Sequence, residues 1–252
     1  MSHINATNKS LHPTVILSGP TRGLGYALFE RLLSEGYPTV AIGRNLERIA
    51  AIVKRAIGFV ELVEFDLGVD TANLLDLLDV VNGIVAADAT SPLVFISNAS
   101  IINPISRATE LTYSGLEHSM RINCIAPLMV ANLLTKISQE QGRTLLVLNI
   151  SSGAANRPIR GWQAYCSSKS AYKMGLDVLA AENSHVRAVH FDPGVMDTSM
   201  QKLIRTQNVE DMPEVEVFRS YQEKGSLKDP ADVATELVKL IEHHTAVRLN
   251  VE

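Results

Sequence analysis

A chain of 252 residues, 46% hydrophobic and 20% charged, is long enough for one large α/β domain and has the make-up of an ordinary globular protein. Its formal charge of −4 gives no support to nucleic-acid or anionic-membrane binding, both of which favour basic patches. No apolar run reaches the roughly 18 residues of a membrane span. Cys124 and Cys166 are too few and too isolated for a disulfide framework, and neither they nor the histidines show metal-ligand spacing; a cytoplasmic protein without a metal is expected.

In chain order, residues 1–13 are polar, lack the apolar core of a signal peptide and read as a flexible arm. Short β-branched runs then alternate with longer amphipathic ones. Strands are expected at 14–18, 39–43, 60–65, 93–97, 144–150, 186–191 and 246–251, and helices at about 23–36, 46–57, 70–87, 112–139, 164–182 and 230–243. The strands are apolar almost throughout, as expected when both faces of a parallel sheet are covered. Strand–helix alternation of this kind predicts an α/β, doubly wound parallel sheet of about seven strands, with helices on both faces, as a single domain over 14–252. The stretch 196–228 reads as one long irregular segment, the length of a lid over a substrate.

The first strand runs into "SGPTRGLG", where Gly19, Gly23 and Gly25 are spaced G-x-x-x-G-x-G. Glycines at a strand–turn–helix junction let the backbone approach a pyrophosphate, which then sits on the helix N-terminus. An NAD site needs an acidic side chain about 20 residues further on to bind the ribose 2′-hydroxyl. Here the second strand ends Gly43-Arg44-Asn45 with no carboxylate; the guanidinium of Arg44, with Arg22 from the glycine loop, suits a 2′-phosphate and points to NADP(H). Asp66, after the third strand, is placed for the adenine amino group or for capping the next helix. The small residues of "ISNAS" around Asn98 and Ala99 let the chain pass close under a bound ribose. Asn123 interrupts an otherwise apolar helix, which implies a buried polar role or a satisfied structural amide.

Ser152 closes the fifth strand, on the edge where parallel-sheet chemistry gathers. Tyr165 and Lys169 lie at i and i+4 of the following helix, on one face. A cation beside a phenol favours phenolate, so the lysine is expected to draw the tyrosine's pKa down from about 10 towards working pH. Trp162 and the Met- and Val-containing stretch 196–228 around Met200 suggest an apolar pocket, or, for Trp162, simple packing against the sheet edge.

These residues, in this order and together with "PGVMDT" at 193–198, resemble the short-chain dehydrogenases/reductases over about residues 14–251. "NISSGAANRPIRGWQAYCSSKSA" and "VRAVHFDPGVMDTSMQ" look like the branch of the sepiapterin and benzil reductases. The resemblance implies a Rossmann-type fold and an NADPH-dependent carbonyl reductase acting on an aromatic or vicinal dicarbonyl, or on a pterin side-chain ketone. It makes Ser152 the donor to the substrate oxygen, Tyr165 the general acid, Lys169 its electrostatic partner and holder of the nicotinamide ribose, and Asn123 the holder of a water that links the lysine to solvent. It implies a cofactor held by Gly19, Arg22, Gly23, Leu24 and Gly25, by Arg44 and Asn45, by Asp66 and Leu67, by Asn98 and Ala99, by Tyr165 and Lys169, and by Pro193, Gly194, Val195 and Thr198. Ser152, Trp162, Tyr165 and Met200 would meet the substrate.

The chain departs from the family pattern at several points. Ser18 stands for a threonine. Ser97-Asn98-Ala99-Ser100 stands where Asn-Asn-Ala-Gly is usual. Asp192 precedes Pro193, and Arg248 lies near where sepiapterin reductases present a pterin-anchoring aspartate. Two other readings stay open: a non-catalytic NADP(H)-binding protein, which the retained Asn123, Ser152, Tyr165 and Lys169 oppose, and an NAD-linked alcohol dehydrogenase, which Gly43-Arg44-Asn45 opposes. In this family the helices at 112–139 and 164–182 make a four-helix contact, so a homodimer or homotetramer is expected.

Overall fold

The computed structural model describes residues 12–68, 71–86 and 91–246. Within them lie β1 (Thr14–Ser18), β2 (Thr39–Gly43), β3 (Val60–Glu64), β4 (Leu93–Ser97), β5 (Leu145–Ile150) and β6 (Val186–Phe191). All pairings are parallel, in the order β3-β2-β1-β4-β5-β6, with Val15 opposite Thr39 and Ile16 opposite Phe95. Of the expected seventh strand at 246–251, Ala246 ends the last helix instead, and 247–251, with Arg248, lie outside the described residues. So do residues 1–11 of the expected arm; at its end the His12 ring lies 4.2 Å from that of Tyr37.

The helices are α1 (Gly23–Ser34), α2 (Ala50–Val53), α3 (Thr71–Ala86), α4 (Tyr113–Met120), α5 (Ala126–Glu140), α6 (Gln163–Glu182), α7 (Ser199–Arg205), α8 (Val215–Glu223) and α9 (Pro230–Ala246). Period-two alternation is present in the strands but invisible in the sequence, because each face has its own apolar cover. Ile16 and Phe95 belong to a core with Leu134, Tyr172 and Leu176 of α5 and α6, while Val15, Leu17 and Ile96 belong to one with Leu28 and Phe29 of α1 and Leu237 of α9. The outermost described strands, β3 and β6, are the less buried ones.

Three expectations need correction. The helix at 46–57 is only a 3-10 turn (Leu46–Arg48) and the single turn α2. Asn45 enters it in the left-handed conformation (φ 57°), and Ile49 is the one fully buried side chain it offers, too little to stabilise a longer helix.

The helix at 112–139 is interrupted by a π turn, Arg121–Ile125, between α4 and α5. Pro127 is the physical reason: it has no N–H for the Asn123 carbonyl four residues back, and its ring would clash with that carbonyl in a regular helix.

The stretch 196–228 is not irregular. Thr198 Oγ1 accepts from Gln201 N (3.4 Å) at the start of α7, and Ile204, Met212 and Val215 are buried in a third apolar cluster with Ile102, Trp162 and Tyr165. The two ends of the segment are tied together, since Lys228 N donates to Val195 O (2.9 Å) and Asp197 N to Lys228 O (3.0 Å). After it, Asp229 Oδ1 accepts from Ala231 N (2.8 Å), an N-cap with proline at the first helical position of α9.

The strand order reverses between β1 and β4. The carboxyl ends of both open into a crevice there, the position at which doubly wound sheets take ligands.

Candidate active site

Gly19 and Gly23 carry positive φ (71° and 54°) in the turn that leads β1 into α1. A Cβ on Gly25 would collide with the Gly19 carbonyl oxygen and with Asn98 Nδ2, so the first turn of α1 lies tight against the loop. The loop is tied to the end of β4: Ser18 Oγ accepts from Asn98 N (3.0 Å) and Ala99 N (3.1 Å), and Asn98 Nδ2 donates to Ser18 O (3.1 Å) and Gly19 O (3.0 Å). The Asn98 amide is thus spent on holding the loop, and the backbone around it, with Ala99, passes under the crevice. The serine that stands for threonine at 18 keeps the hydroxyl these bonds need.

A cleft of about 640 Å³ runs along this edge. Its lining includes every site residue expected from the sequence except Gly25, which packs beneath the loop, and Asn123, which is 1% exposed. At the end by β2 lie Arg22, Arg44, Asn45, Asp66 and Leu67, joined by Arg48, which sequence reasoning missed. Arg44 does not stand free, because its Nη1 donates to Asp66 Oδ2 (3.1 Å) while Asp66 Oδ1 accepts from Gly68 N (2.8 Å). Burial raises the Asp66 pKa, but the Gly68 N–H and Arg44 outweigh it, so the carboxyl is held below its ordinary value. Asp66 therefore caps its own turn rather than α3. A carboxylate does reach the β2 turn, contrary to expectation: Glu64 accepts from Asn45 N (2.7 Å) and Leu46 N (3.0 Å). Glu64 is not among the lining residues. The cleft itself meets three arginines against Asp66 alone at this end, an electropositive surface.

At the other end, Pro193, Gly194, Val195, Thr198 and Met200 line the cleft. A Cβ on Gly23 would lie 3.3 Å from Thr198 Cγ2, which places this loop directly over the glycine turn.

The β5 end and α6 bring Ser152, Tyr165 and Lys169 together. Ser100 and Ser152 line the cleft together with the Tyr165 phenol. Ser152 Oγ accepts from Ala154 N (3.2 Å). Lys169 Nζ lies 5.8 Å from the centroid of the Tyr165 ring and donates to Ile150 O (2.9 Å).

The shared face is as expected, but the pKa argument is reversed. Burial pushes the Tyr165 phenol up to about 12, against the pull of the two serine hydroxyls, and the charge on Asp192 adds to the rise. Burial also takes Lys169 down to about 8. With both groups out of water, desolvation outweighs the attraction between them. Ser100 was missed as a site residue; its signal was the departure from glycine at that position.

Asn123 sits on the π turn beneath this group. Its Oδ1 accepts from Ser100 Oγ (3.1 Å) and Ile101 N (2.9 Å), and its Nδ2 donates to Ile101 O (2.8 Å), Ser119 Oγ (3.2 Å) and Ser168 Oγ (3.1 Å). The side-chain amide is committed to these partners.

Trp162 is buried at 4% exposure, edge-on to Tyr165 (5.6 Å) and against Phe218 of α8 (5.2 Å), with its Nε1–H donating to Met212 Sδ (3.3 Å). Ile102, Trp162, Met200, Ile204, Phe218 and Tyr221 make the wall beside the phenol largely apolar and aromatic. Among the described residues no group of three or more His, Cys, Asp or Glu could hold a metal, and no helix is long and apolar enough to cross a membrane.

The family model described as short chain dehydrogenase matches residues 13–209. The chain is 33% identical to a benzil reductase, (S)-benzoin forming, of Bacillus subtilis, over 91% of this chain and 93% of that one. It is 29% identical to the sepiapterin reductase of Mus musculus, over 91% and 92%. Among solved structures, a short-chain dehydrogenase/reductase from Saccharomyces cerevisiae superposes with a TM-score of 0.79 at 24% identity, over 92% of this chain and 90% of that one, a likeness of fold.

Proposed function

Because the chain belongs to the short-chain dehydrogenase family, we propose that it is a cytoplasmic NADPH-dependent carbonyl reductase, acting on vicinal dicarbonyls of the benzil type to give a hydroxyketone. One observation carries this reading: the Tyr165 phenol, flanked by Ser152 and with Lys169 5.8 Å from its ring, lines the same cleft as the glycine loop of β1–α1.

The residues present fit a nicotinamide dinucleotide. The Gly19–Gly25 packing brings the loop backbone to the cleft, and the arginines at 22, 44 and 48 give the β2 end the charge that a ribose 2′-phosphate requires. The bound cofactor supplies the hydride. Ser152 donates a hydrogen bond to the substrate carbonyl oxygen and steadies the negative charge that develops there. Tyr165 then gives its phenolic proton to that oxygen, its O–H bond breaking as the new one forms. Lys169 places a cation near the phenolate left behind. The aromatic wall of Trp162, Phe218 and Tyr221 suits a substrate with aryl groups on either side of the carbonyls. The similarity to a benzil reductase supports this substrate class.

The chain's own copies are its proposed partners. Met174 and Val178 on α6 are 62% and 48% exposed, and Tyr113 and Met129 on α4 and α5 are 81% and 39% exposed. These apolar side chains support a homodimer or homotetramer through the two helical segments.

An NADPH-consumption screen over vicinal diketones, pterins, simple ketones and quinones tests the activity. Turnover is expected with diketones such as benzil. No turnover with any dicarbonyl would reject the substrate class.

A further inference from the structure

We propose that Arg157 and Asp192 form a specificity pair at the substrate end of the cleft, a role that rests on the carbonyl reduction proposed above. Arg157 takes the second oxygen of an uncharged vicinal dicarbonyl. Asp192 turns away 2-oxo acids, in which a carboxylate fills that place.

Gly153 follows Ser152 and opens a 3-10 turn, Gly153–Ala155. Arg157 N donates to Gly153 O (3.1 Å), which brings the arginine back over the start of that turn. A Cβ on Gly153 would lie 3.5 Å from Arg157 Nε, 3.9 Å from Arg157 Nη2 and 3.7 Å from Asp192 Oδ2. The guanidinium and the carboxylate thus converge on one point beside Ser152, and Ser152, Gly153, Arg157 and Asp192 all line the cleft. Asp192 arrives there from the end of β6. Its Oδ1 accepts from Gly194 N (2.9 Å), so Oδ2 is the oxygen left to face the point over Gly153. Among the described residues neither charge is spent on an ion pair, whereas Glu214, another carboxylate of the lining, is taken by Arg160 at 2.9 Å.

Successive residues stand about 3.8 Å apart, the scale that separates the oxygens of adjacent carbonyls. A substrate oxygen held at Ser152 therefore sets its neighbour towards the group over Gly153. A guanidinium has only donors, so what it takes there is an acceptor oxygen. A simple ketone has none at that place and gains nothing from Arg157. A carboxylate would meet Arg157 but would bring a second negative charge against Asp192, and like charges brought together are costly. A neutral ketone oxygen accepts from Arg157 without that cost. The departure at 192 thus sets which oxygen the arginine may hold.

The test uses NADPH-dependent benzil reduction by the full chain, with two competitors. Deoxybenzoin keeps both rings of benzil and lacks the second oxygen; phenylglyoxylate puts a carboxylate in its place. Arg157 and Asp192 are exposed, and Asp192→Asn keeps the Oδ1 that accepts from Gly194 N, so the variants Arg157→Ala and Asp192→Asn leave the core untouched. In Arg157→Ala the KM for benzil should rise roughly 10- to 100-fold relative to the inhibition constant of deoxybenzoin, the loss of one hydrogen bond from a charged donor. In Asp192→Asn the inhibition constant of phenylglyoxylate should fall roughly 5- to 10-fold relative to the KM for benzil, a partly screened repulsion removed. If benzil and deoxybenzoin weaken equally in Arg157→Ala, the role of Arg157 is overturned. If phenylglyoxylate gains nothing in Asp192→Asn, that of Asp192 is overturned. A parent enzyme that reduces no benzil removes the proposed function and the pair with it. A parent that reduces benzil, with both ratios unmoved in the variants, keeps the function and loses only the pair.

Discussion

Lys169 Nζ, 5.8 Å from the Tyr165 ring centroid, donates to the Ile150 carbonyl at 2.9 Å rather than to the phenol. Its folded pKa of about 8 lies below the ordinary 10.5, owing to burial. Between those values the unfolded chain holds a proton that the native chain lacks, so stability rises with pH across that window. Below pH 8 the buried ammonium carries its full penalty, ~3 kcal/mol. Cofactor-free Lys169→Met should therefore unfold later than the parent at pH 7, by ~1–3 kcal/mol after the lost bond to Ile150 is deducted. The gap should narrow towards pH 10. Urea melts of both proteins at the two pH values check this, and a variant no more stable at pH 7 would refute it.

Tyr165→Phe removes the proposed proton donor and little else, since the ring keeps its edge-on contact with Trp162 at 5.6 Å. Turnover should fall by roughly 10²- to 10⁴-fold, while NADPH still binds. Steady-state kinetics beside cofactor fluorescence titration separate the two effects.

Arg44 is 54% exposed and shares its guanidinium with Asp66. If it meets a 2′-phosphate, Arg44→Ala should weaken NADPH binding by ~10- to 100-fold and leave NADH binding almost unchanged. Calorimetric titration with each cofactor distinguishes the outcomes, and equal losses for both would defeat the NADP(H) assignment.

Asn123→Ala strips the amide that satisfies both the N–H and the C=O of Ile101. Leaving these part-buried groups unpaired should destabilise the fold by about 2–4 kcal/mol. The midpoint of urea denaturation reports it, and a loss under ~1 kcal/mol would show that the network carries little stability.

Met174, 62% exposed on α6, belongs to the apolar surface proposed for the self-contact. Met174→Glu should shift the protein to smaller species in analytical ultracentrifugation, since a charge pressed against its own copy is costly. A parent protein that sediments as a monomer would rule out the assembly.

Much of the site was readable along the chain because its chemistry is ordered by residue type. The glycine turn, Arg44, Ser152 and the Tyr165–Lys169 pair each follow an apolar strand or share a helix face, and parallel topology then gathers strand ends on one edge. Pro127 marked the break in the 112–139 helix for anyone counting four residues back to Asn123. The helices at 199–205 and 215–223 were harder to see, since their apolar faces become intelligible only against Trp162 and Ile102.

Residue order and spacing were enough for the doubly wound architecture, a site at the carboxyl ends of its strands, and the side chains that would meet there, because these depend on local periodicity and on chirality. The protonation balance of Tyr165 and Lys169, the pairing of Arg44 with Asp66 and the commitment of the Asn98 and Asn123 amides were not. Each of these depends on how far a group is removed from water and on which distant backbone or hydroxyl packs against it, and both arise only once segments remote in the chain are brought into contact.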